Sequence, residues 1–258
     1  MTGDFYFLYN SGTNPVDSDV ILTGHPGAAP VLLDAWSGHV SPLATSASDG
    51  LHTTIHVSLP VRGAHIVALV PGLKPAAARA TSPAGTPISL NSWNLSVDDW
   101  GPGGPSDPSS VTTHKQHTLT GIALAPWSTI SDIADAVGIG TYTTTILLPA
   151  RWKPTSDARL DLGKVTGTYR VEVNGKLVGP LDQSQTSADL DGLLHPGANT
   201  LKVTVATTLV NKLRITNPQD YGKAPKQDLG LIGPATLTPY SREKKMRDMQ
   251  DICMTFSR

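Results

Sequence analysis

The pair Asn174-Gly175 restricts this chain more than any other feature. It separates Thr168-Tyr-Arg-Val-Glu-Val from Lys176-Leu-Val. A two-residue link between such runs needs φ > 0 at both positions, which Asn and Gly tolerate, so the flanking segments must fold back as a hairpin. The neighbouring runs agree. Tyr142-Thr-Thr-Thr-Ile-Leu-Leu is rich in β-branched residues and stops at Pro149. Pro196-Gly-Ala-Asn199 turns the chain into Leu201-Lys-Val-Thr-Val, where Leu201, Val203 and Val205 share one face and Lys202 and Thr204 the other. From Gly138 to Leu213 the chain therefore reads as antiparallel strands of a sandwich, each hiding one face.

Composition extends that reading to the whole chain. There are 24 Gly and 21 Pro, and only 16% of residues are charged, a mix that suits short strands and tight turns. At 258 residues the chain holds one large or two small domains. The net charge of −1 points to neither a nucleic-acid partner nor an anionic membrane. The single cysteine, Cys253, rules out an intramolecular disulfide and a cysteine metal site. No apolar run approaches the ~20 residues of a membrane span. The first residues lack the basic and apolar regions of a signal peptide. Asp4-Phe-Tyr-Phe-Leu-Tyr-Asn reads instead as a strand already under way, as if the chain began inside a larger architecture.

In order, strands are expected at 4–10, 19–23, 30–34, 51–59 and 64–70. Leu51, Thr53, Ile55, Val57 and Leu59 share one face of the fourth. Five strands make at most a small sandwich over 1–75, one that can lack its first strands, and 76–87 is a linker of Ala, Pro, Gly, Ser and Thr without period. Strand character resumes at Ile88 and stops at Asp98-Asp99-Trp100, before the exposed loop Gly101-Pro-Gly-Gly-Pro. Ser131 to Gly138 is the best helix candidate, with Ser131 as cap and Gly138 as stop. Leu229 to Pro239 is a closing strand, and 241–258 is a charged tail, helical or disordered. The second sandwich thus spans 88–240, and the fold class is all-β with two β-sandwich units.

The order of GIGTYTTT, LDLG, VNG and VATTLVNKL resembles the C-terminal region of glycoside hydrolase family 106, the α-L-rhamnosidase-like proteins. Leu33-Asp-Ala-Trp-Ser-Gly and Trp93-Asn-Leu-Ser-Val-Asp-Asp-Trp100 carry the resemblance upstream, so that it covers most of 4–240. It implies that the second unit is a galactose-binding-like jelly roll of the sort attached to large glycoside hydrolases. It implies an extracellular parent protein whose acid and base lie in an upstream catalytic barrel, so no catalytic residue transfers to this chain. Jelly rolls of this type often hold a structural calcium, for which Asp182, Asp189 and Asp191 are the candidates; turn aspartates capping backbone amides are the other reading.

The residues themselves offer little catalytic chemistry. Glycoside hydrolysis normally uses two carboxylates ~5–10 Å apart. The chain has two glutamates, Glu172, expected to face solvent on a strand, and Glu243 in the tail. Asp98 and Asp99 are adjacent, and neighbours on a strand point opposite ways, so one substrate atom cannot meet both unless the strand breaks there. His52 and His56 stand ~13 Å apart along a strand, too far to share a metal. His114 and His117 lie in a loop-like run with no third ligand in view. There is no nucleophile elbow, no phosphate loop and no dinucleotide fingerprint.

Aromatic stacking remains. Of the five tryptophans, Trp93 and Trp127 read as core, while Trp100 and Trp152, with Asp99, are candidates for sugar binding. Covering ~100–150 Å² of apolar surface is worth roughly 2.5–4 kcal/mol, or about millimolar affinity. That suits a weak carbohydrate contact which an adjacent catalytic domain would make useful through avidity. The leading expectation is a non-catalytic carbohydrate-associated module, the C-terminal part of a rhamnosidase-like glycoside hydrolase. The alternatives are a self-contained hydrolase of α-L-rhamnosides or related glycosides, with Asp34 or Asp99 contributing, and a structural interaction domain.

Overall fold

The computed structural model describes residues 3–24, 27–73, 85–103, 112–152, 156–190 and 192–241. The protein is an all-β sandwich protein divided into two compact units, one holding the described residues up to 73 and the other those from 85 to 241. The expected loop at 101–110, the linker, the tail and Asp191 lie largely or wholly outside the described residues. Among those described, no helix is long and apolar enough to cross a membrane.

The first unit contains β1 (Asp4–Tyr9), β2 (Val16–Thr23), β3 (Ala29–Leu33), β4 (Val40–Pro42), β5 (Thr45–Ser48), β6 (His52–Leu59) and β7 (Ala64–Val70). They form two antiparallel sheets, ordered β1-β7-β3-β4 and β2-β6-β5. Ile55, Val57 and Leu59 alternate inward on β6 and pack with Leu22, Val67 and Leu69. Seven strands stand where five were expected; β4 and β5 are short and carry no apolar alternation to reveal them. Leu51, expected on the inner face, is instead exposed. Asp49 accepts the N–H groups of both Leu51 and His52, and this holds Leu51 in a turn ahead of the strand.

The second unit contains β8 (Ile88–Ser89), β9 (Trp93–Gly101), β10 (Thr113–Ile122), β11 (Gly138–Leu148), β12 (Ser156–Asp161), β13 (Lys164–Thr166), β14 (Thr168–Val173), β15 (Lys176–Leu177), β16 (Ser187–Asp189), β17 (Gly197–Ala206), α1 (Val210–Thr216), α2 (Pro218–Tyr221), β18 (Gly230–Gly233) and β19 (Thr236–Ser241). A six-stranded sheet, β10-β9-β11-β17-β14-β15, is accompanied by a four-stranded sheet, β16-β12-β19-β8, and by the pair β13-β18. Leu95, Val97, Tyr142, Ile146, Val171, Leu201 and Val203 of the first sheet share one core with Ala158, Leu160, Leu231 and Leu237 of the others. Burial of these side chains is what holds the strands, since a lone hairpin is marginal in water.

Asn174 and Gly175 both have positive φ, 52° and 77°, and Val173 faces Lys176 across the turn, so the hairpin forms where its sequence demands. Asn174 also donates to the carbonyl of Leu193 and to Oδ1 of Asn199. Asn199 is fully buried; its Oδ1 accepts from the His195 N–H and its amide donates to the carbonyls of His195 and Gly197. Asn199→Ala should therefore leave several buried polar groups unpaired and cost about 2–3 kcal/mol. The urea midpoint of the full chain, followed by tryptophan fluorescence, measures it.

Three segments differ from expectation. Residues 131–138 do not form an α-helix: a single 3-10 turn, Ser131–Ile133, follows another at Trp127–Thr129. The residue preceding the second turn is Ile130, which offers no side-chain cap, and Gly138 opens β11. Burying Ile133, Ala136 and Val137 favours the irregular path over a helix there. Strand β9 runs on through Asp98, Asp99 and Trp100 because β10 pairs with it up to Gly101. That same pairing makes His114 and His117 strand residues rather than loop residues. The closing strand is split into β18 and β19, which join different sheets.

Candidate functional site

Strand β9 organises the site because its two faces carry different chemistry. Trp93, Leu95, Val97 and Asp99 point to the core, while Asn94, Ser96, Asp98 and Trp100 point outward. Asp98 and Asp99 thus diverge, as alternation requires of an unbroken strand.

On the outer face Asp98 is the centre of a hydrogen-bonded cluster. Its carboxylate accepts the indole N–H of Trp100 at 2.8 Å, Nδ1–H of His114 at 3.0 Å and the amide of Gln116 at 2.7 Å. The imidazole of His114 meets the indole edge-on, 5.6 Å between centroids. The indole lies against Gly138 of β11: a Cβ there would stand 2.9 Å from Trp100 Cδ1 and 2.3 Å from the Asp98 carbonyl. Gly138 has φ +124°, so the position suits glycine on both counts.

The Trp100 N–H, followed by His114 and Gln116, holds the Asp98 carboxyl below the usual carboxylate range, against some desolvation. A carboxyl whose folded pKa is lowered lends stability above its unfolded pKa of about 3.9 and loses it as pH falls through the folded value. In an acid titration the Trp100 indole proton resonance should accordingly move with a midpoint below about 3.9.

On the inner face Asp99 ties three elements together. Oδ1 accepts the Val137 N–H at 3.0 Å; Oδ2 pairs with Lys212 Nζ of α1 at 2.9 Å and faces His117 Nε2 of β10 at 3.6 Å. The Asp99 and Lys212 side chains are 10% and 19% exposed. Asp99 is thus turned into the protein with its charge matched there. A shallow open depression lies beside this network, lined by Lys115, His117, Thr118, Leu119 and Asp132.

The other candidates are placed apart. Trp152 follows the far end of β11, ~30 Å along the strand from Gly138 and Trp100. Its ring packs on the core, and its indole N–H is buried with no hydrogen-bond partner among the described residues. Trp93 and Trp127 are buried in that core. Asp34 receives the Trp36 N–H in a turn of the first unit. Glu172 is partly covered, and pairs with Lys202 at 2.7 Å. His52 pairs with Asp49, and His56 with Asp17 and Asp19. Asp182 accepts from the N–H and hydroxyl of Ser184, and Asp189 pairs with Arg159. These two do not by themselves make a calcium cage, and no group of three His, Cys, Asp or Glu among the described residues is spaced for a metal ion.

Sequence reasoning singled out Trp100 and Asp99 as candidates but did not anticipate Asp98, His114, Gln116, His117 and Lys212 as the groups around them. The helix α1 that delivers Lys212 had a signal. After Thr207-Thr208 alternation ceases, and Asn217-Pro218 follows, a helix stop.

No family model matches the chain, and no curated protein matches it. Among solved structures, a rhamnosidase from Novosphingobium sp. PP1Y is similar over 92% of this chain, with a TM-score of 0.72 and 24% identity. The chain spans 23% of that protein's length. A β-glucuronidase from Faecalibacterium prausnitzii matches 66% of this chain and 33% of its own, at 16% identity and a TM-score of 0.39. A β-galacturonidase of glycoside hydrolase family 2 from Eisenbergiella tayi matches 63% and 25%, at 19% identity and 0.39. The first of these likenesses establishes the fold: this chain is built like about a quarter of a rhamnosidase.

Proposed function

We propose that this chain is a non-catalytic, carbohydrate-associated β-sandwich module, equivalent to the C-terminal part of a rhamnosidase-like glycoside hydrolase of family 106. The second unit is read as its galactose-binding-like jelly roll. The observation that carries this reading is the likeness over nearly the whole chain to a limited part of a rhamnosidase. The module's partner is then an adjacent glycosidase domain, and its place is outside the cell with that parent. Its own contribution to sugar binding centres on Trp100, whose indole is partly buried on a sheet face. Trp152 and Asp99 serve mainly packing and charge matching.

The site chemistry favours this over a self-contained hydrolase. An acid and a base must converge on one glycosidic bond. Asp98 and Asp99 face opposite ways, and Asp99 and Glu172 are each matched by a lysine. The purified chain should release no phenol from an aryl α-L-rhamnoside above the uncatalysed rate. Turnover that Asp99→Asn abolishes would overturn the reading.

A further inference from the structure

We infer that the outer corner where β9 meets β10 is a binding site for one neutral sugar ring, built from Trp100, His114, Gln116 and Asp98. The inference deepens the carbohydrate reading above and rests on it. The geometry supplies what a pyranose needs. Its apolar C–H face requires a flat ring, and the Trp100 indole is held in place from two sides. Gly138 lies beneath it, and Asp98 clamps its N–H at 2.8 Å. A ring already fixed loses little rotamer freedom on binding. A sugar's hydroxyls require polar groups with unused capacity. With Nδ1–H committed to Asp98, Nε2 is the His114 ring nitrogen left to meet a sugar hydroxyl. Gln116 commits its amide nitrogen to Asp98, which leaves its carbonyl oxygen to accept as well. The Asp98 carboxylate stands at the centre of the cluster and repels a second carboxylate, so the site favours neutral sugars over uronates.

The test uses the full ¹⁵N-labelled chain titrated with L-rhamnose, D-galactose and D-glucuronate to about 50 mM, well above the millimolar Kd that one stacked ring provides. The indole N–H of Trp100 and the side-chain signals of His114 and Gln116 should shift with a neutral sugar and not with glucuronate. Trp100→Ala should weaken that response at least about tenfold, a loss of some 1.4 kcal/mol. Trp100→Phe, which keeps a ring, and His114→Ala, at an exposed position, guard against a folding defect and should each retain part of it. Shifts that lie elsewhere and survive Trp100→Ala overturn this site while leaving the carbohydrate reading standing. An equal response to glucuronate overturns the preference for neutral sugars. Silence toward all three overturns the site, and the hydrolysis assay still judges the module reading separately.

Discussion

Gly230→Ala is expected to cost at least about 4 kcal/mol and to leave much of the second unit unfolded. Gly230 has φ +98°, and a Cβ there would stand 2.4 Å from Trp127 Nε1 and 2.5 Å from the Tyr142 hydroxyl. Those two atoms are hydrogen-bonded to one another at 2.6 Å, and the Leu231 N–H donates to the same hydroxyl at 3.0 Å. The methyl group would occupy the junction of three buried polar groups, in a backbone region that costs an L-residue about 1–3 kcal/mol. Burial pushes the Tyr142 phenol up to about 12, although its two donors pull the other way, so the hydroxyl stays neutral at ordinary pH. Four of the five tryptophans lie in the second unit, so tryptophan fluorescence during urea unfolding of the full chain reports on the right region. Tyr142→Phe should fall between this variant and the parent, because it orphans two N–H groups without a clash.

Asp99→Ala is the second large effect, expected at about 3–5 kcal/mol. Removing the carboxylate leaves Lys212 without its counter-charge in a site where neither partner is much exposed, and it unties the Val137 N–H as well. Lys212→Met leaves Asp99 unmatched in the same way and should cost a comparable amount. The two losses should not add: Asp99→Ala with Lys212→Met removes the charge problem altogether and should recover about 1–3 kcal/mol relative to the sum. Strict additivity in the urea midpoints would show that the pair does not couple β9 to α1.

These sites show which parts of the molecule the sequence states openly. The alternation of β6 and β17, the stop at Pro149 and the Asn174-Gly175 turn appear in the structure because each is a local rule with one solution. The irregular elements are another matter. Residues 131–137 favour a helix by capping and dipole, yet burying Ile133, Ala136 and Val137 outweighs a single turn of helical hydrogen bonds. Aspartates 98 and 99 look like a strand's end by propensity. The strand continues because His114, Gln116 and Lys212 satisfy both carboxylates from 16, 18 and 113 residues away. Long-range partners of this kind leave no periodicity, so alternation revealed that the two carboxylates diverge but not what each one meets.

One sample tests the central claim, a sugar-associated sandwich that performs no bond cleavage. An aryl α-L-rhamnoside is incubated with the full chain and followed by ¹H NMR, reading the glycoside's anomeric proton and the Trp100 indole proton together. The expected result is an anomeric signal that persists undiminished while the indole resonance moves with glycoside concentration. Conversion of the glycoside to free rhamnose of one anomeric configuration, at a rate set by protein concentration, would contradict it.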